Sequence, residues 1–266
     1  MPFIKIADIE IYTTRTGSGE KLLLFPDNHL TSTAYKKEID YFSNRFEVIA
    51  FDYPTTGKST HQVHYPDERQ VDYWGFWADL ACHLLIELEI DCCYALGVGG
   101  GALTALHFAG KQAFQHNLTP MGLILDSFIA DWDTRTLHRW LDVREHFYVR
   151  NKKSLEEQHG ADWRDVVDTD TNYLRTLADQ GGYCIPDSFL NAINCPTLLT
   201  GHLQDPTLTN LAQEYARIST IIPDCSIFLA ARGGHPHIER PFMWTNPDTF
   251  KKISDLFLDR ISDRSN

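Results

Sequence analysis

Short apolar runs alternate with stretches of helical periodicity along almost the whole chain, and this alternation is what most restricts the fold. Lys21–Phe25, Phe46–Phe51, Cys92–Leu96, Met121–Leu125, Pro196–Thr200 and Cys225–Ala230 read as short strands. Between them, Ala34–Phe42, Asp72–Glu89, Gly100–Gly110 and Thr249–Ile261 read as helices. In Asp72–Glu89 the residues Trp74, Trp77, Leu80, Ala81, Leu84, Leu85 and Leu88 recur at helical spacing, opposite a charged face, so both tryptophans are expected inside. Phe3–Ile6 and Ile9–Thr13 predict a hairpin at a sheet edge, followed by a turn over Thr16–Gly19. Strands that alternate with helices imply an α/β fold: a mostly parallel central sheet with flanking helices on both faces.

One stretch breaks the rhythm. Between Ile129 and Asn194 there is no convincing buried strand, only polar, aromatic-studded helical patterns over Thr134–Tyr148, Ser154–His159 and Asp162–Gln180. This predicts a helical insertion, 129–194, over the carboxyl ends of the strands, where ligands bind in open α/β sheets. The core is then 1–128 and 195–266. Trp132, Trp140, Phe147, Tyr148 and Trp163 either line a pocket there or pack the insertion onto the core.

The 266 residues suit one domain with an insertion, and 43% apolar with 12% aromatic content excludes disorder, collagen and coiled coil. A net charge of −12 argues against nucleic acid or an anionic membrane surface as a partner. No apolar run approaches the ~18 residues of a membrane span, and Met1–Glu10 has no signal-peptide core. Cys82, Cys92, Cys93, Cys184, Cys195 and Cys225 show no metal or redox spacing, so buried, reduced thiols in a cytoplasmic protein are expected. Asn117-Leu118-Thr119 matches a glycosylation acceptor in letters only. The histidine pairs His61/His64 and His235/His237 lack acids at ligand spacing, and no metal is expected. Gly57-Lys58-Ser59 ends like a phosphate loop, but Asp52 stands where its first glycine is required.

Four local patterns occur in order. Strand 21–25 runs into Pro26-Asp27-Asn28-His29, and strand 46–51 into Asp52–Ser59. Strand 92–96 runs into Gly97-Val98-Gly99-Gly100-Gly101 and a helix. Thr200–Asp205 and then Gly233-Gly234-His235 follow the last two strands. This arrangement resembles the α/β-hydrolase superfamily over essentially the full chain. The resemblance implies a nucleophile elbow at Gly97–Gly101, Asp205 as the triad acid and His235 as the base, in the hydrolase order. It also implies an oxyanion hole formed by the Asn28 and Gly100 N–H groups, and a cap at 129–194. The parent activity is hydrolysis of an ester-like bond in a small, largely apolar molecule, with no cofactor.

Two departures bear on that activity. The elbow carries Gly99 where serine belongs, and Val98, Gly100 and Gly101 offer no nucleophilic atom. Glycine takes the strained elbow conformation freely, so the fold survives while the attacking oxygen is missing. Pro26-Asp27 replaces the His-Gly often found after the third strand. A carboxylate at Asp27 opposes a developing oxyanion if it points inward, and is harmless if it turns to solvent.

Several readings stand open. The chain is a serine hydrolase that has lost its nucleophile, in which case serine at 99 restores ester hydrolysis. Or glycine is native, and the pocket binds a ligand or runs His235–Asp205 base chemistry. Asp126, at the end of the strand after the elbow, is a substitute acid in some hydrolases. Gly97–Ala102 also fits the dinucleotide fingerprint G-x-G-x-x-A, with Asp126 near the place of its ribose-binding acid. That fingerprint normally opens a domain, whereas several strands precede it here.

Overall fold

The structure is a computed structural model that describes residues 2–61, 72–205, 207–208, 210–232 and 241–265. Ten strands are present among them: β1 (Phe3–Ile6), β2 (Ile9–Gly17), β3 (Lys21–Phe25), β4 (Glu47–Phe51), β5 (Cys92–Val98), β6 (Thr119–Asp126), β7 (Asp131–Asp133), β8 (Gly182–Cys184), β9 (Thr197–Gln204) and β10 (Cys225–Arg232). The helices are α1 (Lys36–Phe42), α2 (Tyr73–Glu87), α3 (Gly100–His107), α4 (Ala113–Gln115), α5 (Thr134–His159), α6 (Trp163–Asp179), α7 (Asp187–Leu190), α8 (Leu211–Ile221), α9 (Phe242–Thr245) and α10 (Pro247–Ser265).

Eight strands form one sheet in the order β1-β2-β4-β3-β5-β6-β9-β10. The β1–β2 and β2–β4 pairs are antiparallel and every later pair is parallel, as the alternation predicts. Side-chain alternation divides the core between the two faces. Leu23, Phe25, Ile49 and Ala95 pack with α2 and α3, while Leu22, Leu24, Val48 and Leu96 pack with α1 and α10. Burial on both sides explains why these strands read as unbroken apolar runs.

The structure corrects the sequence reading in several places. Strand β2 continues to Gly17, paired with Glu47, so Thr16-Gly17 belong to the sheet and not to a turn. The patterns at 134–148 and 154–159 are one helix, α5. Its polar middle is carried by Lys152–Glu156 and Lys153–Glu157 pairs one turn apart and by Asn151 Nδ2, which donates to the Phe147 carbonyl. The insertion also contains the small antiparallel pair β7–β8, whose alternation is too short to detect in sequence. Among the cysteines, all free, Cys82, Cys93 and Cys195 are buried, but Cys92 and Cys184 are exposed because they lie at strand ends. No helix among the described residues is long and apolar enough to cross a membrane.

Candidate active site

Strand β5 ends in a sharp turn onto α3. At its apex Gly99 has φ +56° and ψ −122°, a backbone conformation that side chains resist. Its N–H donates to the Asp126 carbonyl at 3.0 Å, which ties the turn to β6. Gly101 permits a close approach, since a Cβ there would lie 2.2 Å from the carbonyl oxygens of Phe25 and Pro26. The turn therefore packs directly against the loop that follows β3.

That loop supplies the group that organises the site. Asp27 points inward, and its Oδ1 accepts from Asn28 N–H at 2.9 Å and Gly100 N–H at 2.8 Å. These are the two donors the resemblance assigns to an oxyanion. The first-turn N–H groups of α3 favour an anion there. A Cβ on residue 99 would meet Asp27 Cγ and Oδ1 at 2.7 Å and Oδ2 at 2.9 Å. The carboxylate thus fills the space that a side chain on 99 would enter. Tyr35 Oη accepts from the Asp27 N–H at 2.9 Å and fixes the loop from behind.

Next to Asp27 lies a buried polar network that sequence reasoning did not find. Asn28 Nδ2 donates to Asp170 Oδ1 at 3.0 Å, and Trp74 Nε1 donates to Asn28 Oδ1 at 2.9 Å. Arg144 donates to Asp170 and to Tyr148 Oη, and its Nε to Thr171 Oγ1 at 3.2 Å. Burial alone would lower the Arg144 pKa, but Asp170, Tyr148 and Asp27 together raise it above the usual value. His29 is also buried, with Nδ1 3.7 Å from Asp170 Oδ2 and no partner for Nε2 among the described residues; burial lowers its pKa despite the nearby carboxylates. Arg144, His29 and Asp170 sit far apart in sequence, and only the fold brings them together.

Asp205 borders the same cavity. Its Oδ1 accepts from Thr207 N–H at 2.8 Å and Leu208 N–H at 2.7 Å, a local turn, while Oδ2 accepts no hydrogen bond among the described residues. The helix after it begins only at Leu211, so Asp205 caps this turn and not a helix starting near 206. His235, with Gly233, Gly234 and His237, lies outside the described residues, as does His64. Asp126 is fully buried, accepting from Thr200 Oγ1 at 2.6 Å and Met243 N–H at 3.1 Å; burial pushes its pKa up to about 7. Ser127 reaches the cavity wall, but its hydroxyl accepts from Phe242 N–H and donates to Asp126.

The cavity, ≈ 110 Å³, lies between the strand ends and the insertion. Trp74, Leu103, Trp132, Trp140 and Leu174 supply its apolar wall. Trp74 is thus both core and wall, and of the insertion aromatics Trp132 and Trp140 face the cavity while Phe147, Tyr148 and Trp163 pack into the core. The volume is below the roughly 150 Å³ that accommodates benzene in an engineered apolar cavity.

The dinucleotide reading loses its two anchors here. The α3 N-terminus is occupied by the Asp27 carboxylate, and Asp126 is enclosed by Thr200, Ser127 and Met243. The Gly57 N–H, in the phosphate-loop lookalike, donates to His159 Nδ1 at 3.0 Å. Away from the cavity, Asp79, His83 and His116 bring their ligand atoms within 4.8 Å of one another, a group the sequence did not suggest.

No family model matches the sequence, and no curated protein matches it. Solved structures do match. A bacterial membrane phospholipase A described as a virulence factor is 17% identical, with 98% of this chain and 86% of that chain covered and a TM-score of 0.75. A variant of the meta-cleavage product hydrolase CumD is 16% identical over 97% of each chain, with a TM-score of 0.73. MGS-M2, an alpha/beta hydrolase enzyme from a Medee basin deep-sea metagenome library, is 15% identical over 97% of each chain, with a TM-score of 0.70. At such identities the likeness carries architecture and not activity. The strand order, the glycine turn after β5 and these superpositions agree that this chain has the α/β-hydrolase fold.

Proposed function

We propose that this protein is a hydrolase of a small, largely apolar molecule, and that its reacting group is the Asp27 carboxylate in place of a side chain at 99. One observation carries the reading: Oδ1 rests on both N–H donors while Oδ2 accepts no hydrogen bond among the described residues. With its donors engaged, the hole has little left for the carbonyl oxygen of a bound ester, so acyl transfer loses its main electrostatic support. Attack by Oδ2 on a saturated carbon needs no such support. The Oδ2–carbon bond forms, the carbon–leaving-group bond breaks, and the leaving group departs with the electron pair.

The resulting ester keeps Oδ1 as its carbonyl oxygen. Water then adds to Cγ, and negative charge develops on Oδ1, against the Asn28 and Gly100 N–H groups. Collapse releases the alcohol and restores the carboxylate. In this reading His235 takes the proton from water, Asp205 orients the imidazole through Oδ2, and residues 129–194 act as the cap. Cytoplasmic residence belongs to the same proposal, supported by six free thiols.

The test is a single turnover in ¹⁸O-labelled water with small alkyl halides and epoxides, followed by mass analysis of the peptide containing residue 27. Label in Asp27 with unlabelled first-turnover alcohol is expected, and Asp27→Asn should abolish turnover. Label directly in the alcohol would make Asp27 a base instead of a nucleophile. Absence of turnover with ligand binding intact would leave a binding protein.

A further inference from the structure

A second convergence of ligating side chains lies outside the pocket and is independent of Asp27 chemistry. Asp79 and His83 are one turn apart on α2, and His116 follows α4. His116 Nε2 lies 2.7 Å from Asp79 Oδ1, and His83 Nε2 lies 3.7 Å from Asp79 Oδ2. The two imidazole rings meet edge to face with centroids 4.7 Å apart. Surface ion pairing accounts for each histidine–carboxylate contact separately. It does not by itself bring two imidazole nitrogens and a carboxylate oxygen within 4.8 Å of one another. A divalent ion among the three ligand atoms would engage all of them at once.

We propose that Asp79, His83 and His116 form a site for Zn²⁺ or a similar divalent transition metal, completed by water. Two imidazole nitrogens and one carboxylate oxygen suit such ions better than Mg²⁺ or Ca²⁺, which prefer all-oxygen shells. Ligand bonds of about 2.0–2.2 Å require the ligand atoms of a tetrahedron to stand roughly 3.4 Å apart. All three side chains are partly exposed, so changes in their torsions would bring the present spread of up to 4.8 Å toward that spacing. Such an ion cross-links α2 to the segment after the π-helical turn Phe108–Gln112. Its role is structural, since neither α2 position faces the cavity.

The test uses the full chain, stripped with chelator and desalted, titrated with ZnCl₂ by calorimetry and with CoCl₂ by absorption. One equivalent bound, cobalt bands of a nitrogen–oxygen site and a higher Tm with Zn²⁺ are expected. His83→Ala and His116→Ala should each weaken binding at least about tenfold and remove the Tm rise. His138→Ala, an exposed histidine elsewhere, should change neither. Unaltered far-UV circular dichroism shows that the variants fold. No binding at micromolar Zn²⁺, or unchanged affinity in both His83→Ala and His116→Ala, overturns the proposal.

Discussion

Asp27 and Gly99 share one volume: a Cβ on residue 99 would lie 2.7 Å from Asp27 Cγ. The inward carboxylate and a side chain at the apex of the β5–α3 turn are therefore alternatives. The glycine at 99 and the acid at 27, which read in sequence as two separate departures, are a matched pair in space.

Gly99→Ser alone is accordingly expected to stay inactive toward short acyl esters. At φ +56° a non-glycine residue costs on the order of 1–3 kcal/mol, and the new side chain must also displace Asp27. Adding Asp27→Gly frees both the space and the N–H donors. The double variant should then recover part of the lost Tm and hydrolyse p-nitrophenyl acetate. Equal activity in the single and double variants would show that Asp27 does not obstruct residue 99.

Arg144 is buried against Asp170. Arg144→Met strands that carboxylate, and removing one partner of a buried pair costs about 3–5 kcal/mol. Asp170→Asn in the same chain should return much of the loss, because the amide needs no counter-charge. Urea unfolding of both variants measures the difference.

His159 bridges two loops, with Nε2 3.0 Å from the His29 carbonyl and Nδ1 accepting from Gly57 N–H. Those partners select the neutral ring with its proton on Nε2. Burial pushes its pKa down to about 4. Between its unfolded value near 6.5 and about 4 the unfolded chain binds the extra proton, so this contribution is complete above pH 6.5 and is lost as pH falls. His159→Gln cannot titrate. The stability of the native chain minus that of His159→Gln should therefore be roughly 2–3 kcal/mol smaller at pH 4.5 than at pH 7.5. Asp126, raised to about 7 by burial, acts with the opposite sign but is common to both chains and cancels.

Gly101→Ala places a methyl 2.2 Å from two backbone carbonyl oxygens that cannot move without displacing β3. It should lower Tm far more than Gly160→Ala, where an added Cβ meets nothing within 4 Å though φ is +73°. Thermal melts of the two variants make the comparison.

The sheet was legible because each parallel strand is apolar on both sides, and the turn from β5 onto α3 because its glycines cluster between a strand and a helix. Asp27 was legible as a misfit but not in direction, since its rotamer depends on the absence of a side chain some distance along the chain. Asp170, Arg144 and His29 carry no local signal: a buried polar network is specified by packing between the insertion and the core. Asp79 and His83 stand one turn apart on α2 without drawing notice in the sequence, and His116 joins them only when the segment after α3 folds back on α2. Cys92 and Cys184 look like neighbours of buried residues in sequence and are exposed because strands begin and end at the surface.

The insertion grips the loop after β3 at several points: Asp170 holds the Asn28 side chain, His159 the His29 carbonyl, and Gln158 the Thr31 N–H. That loop provides one of the two N–H donors on which Asp27 rests. Half of the anion-binding geometry is thus inherited from helices α5 and α6 and not from the sheet. A chimaera carrying a foreign 129–194 segment would exchange more than the shape of the chamber; it would let go of the very backbone that aims the carboxylate.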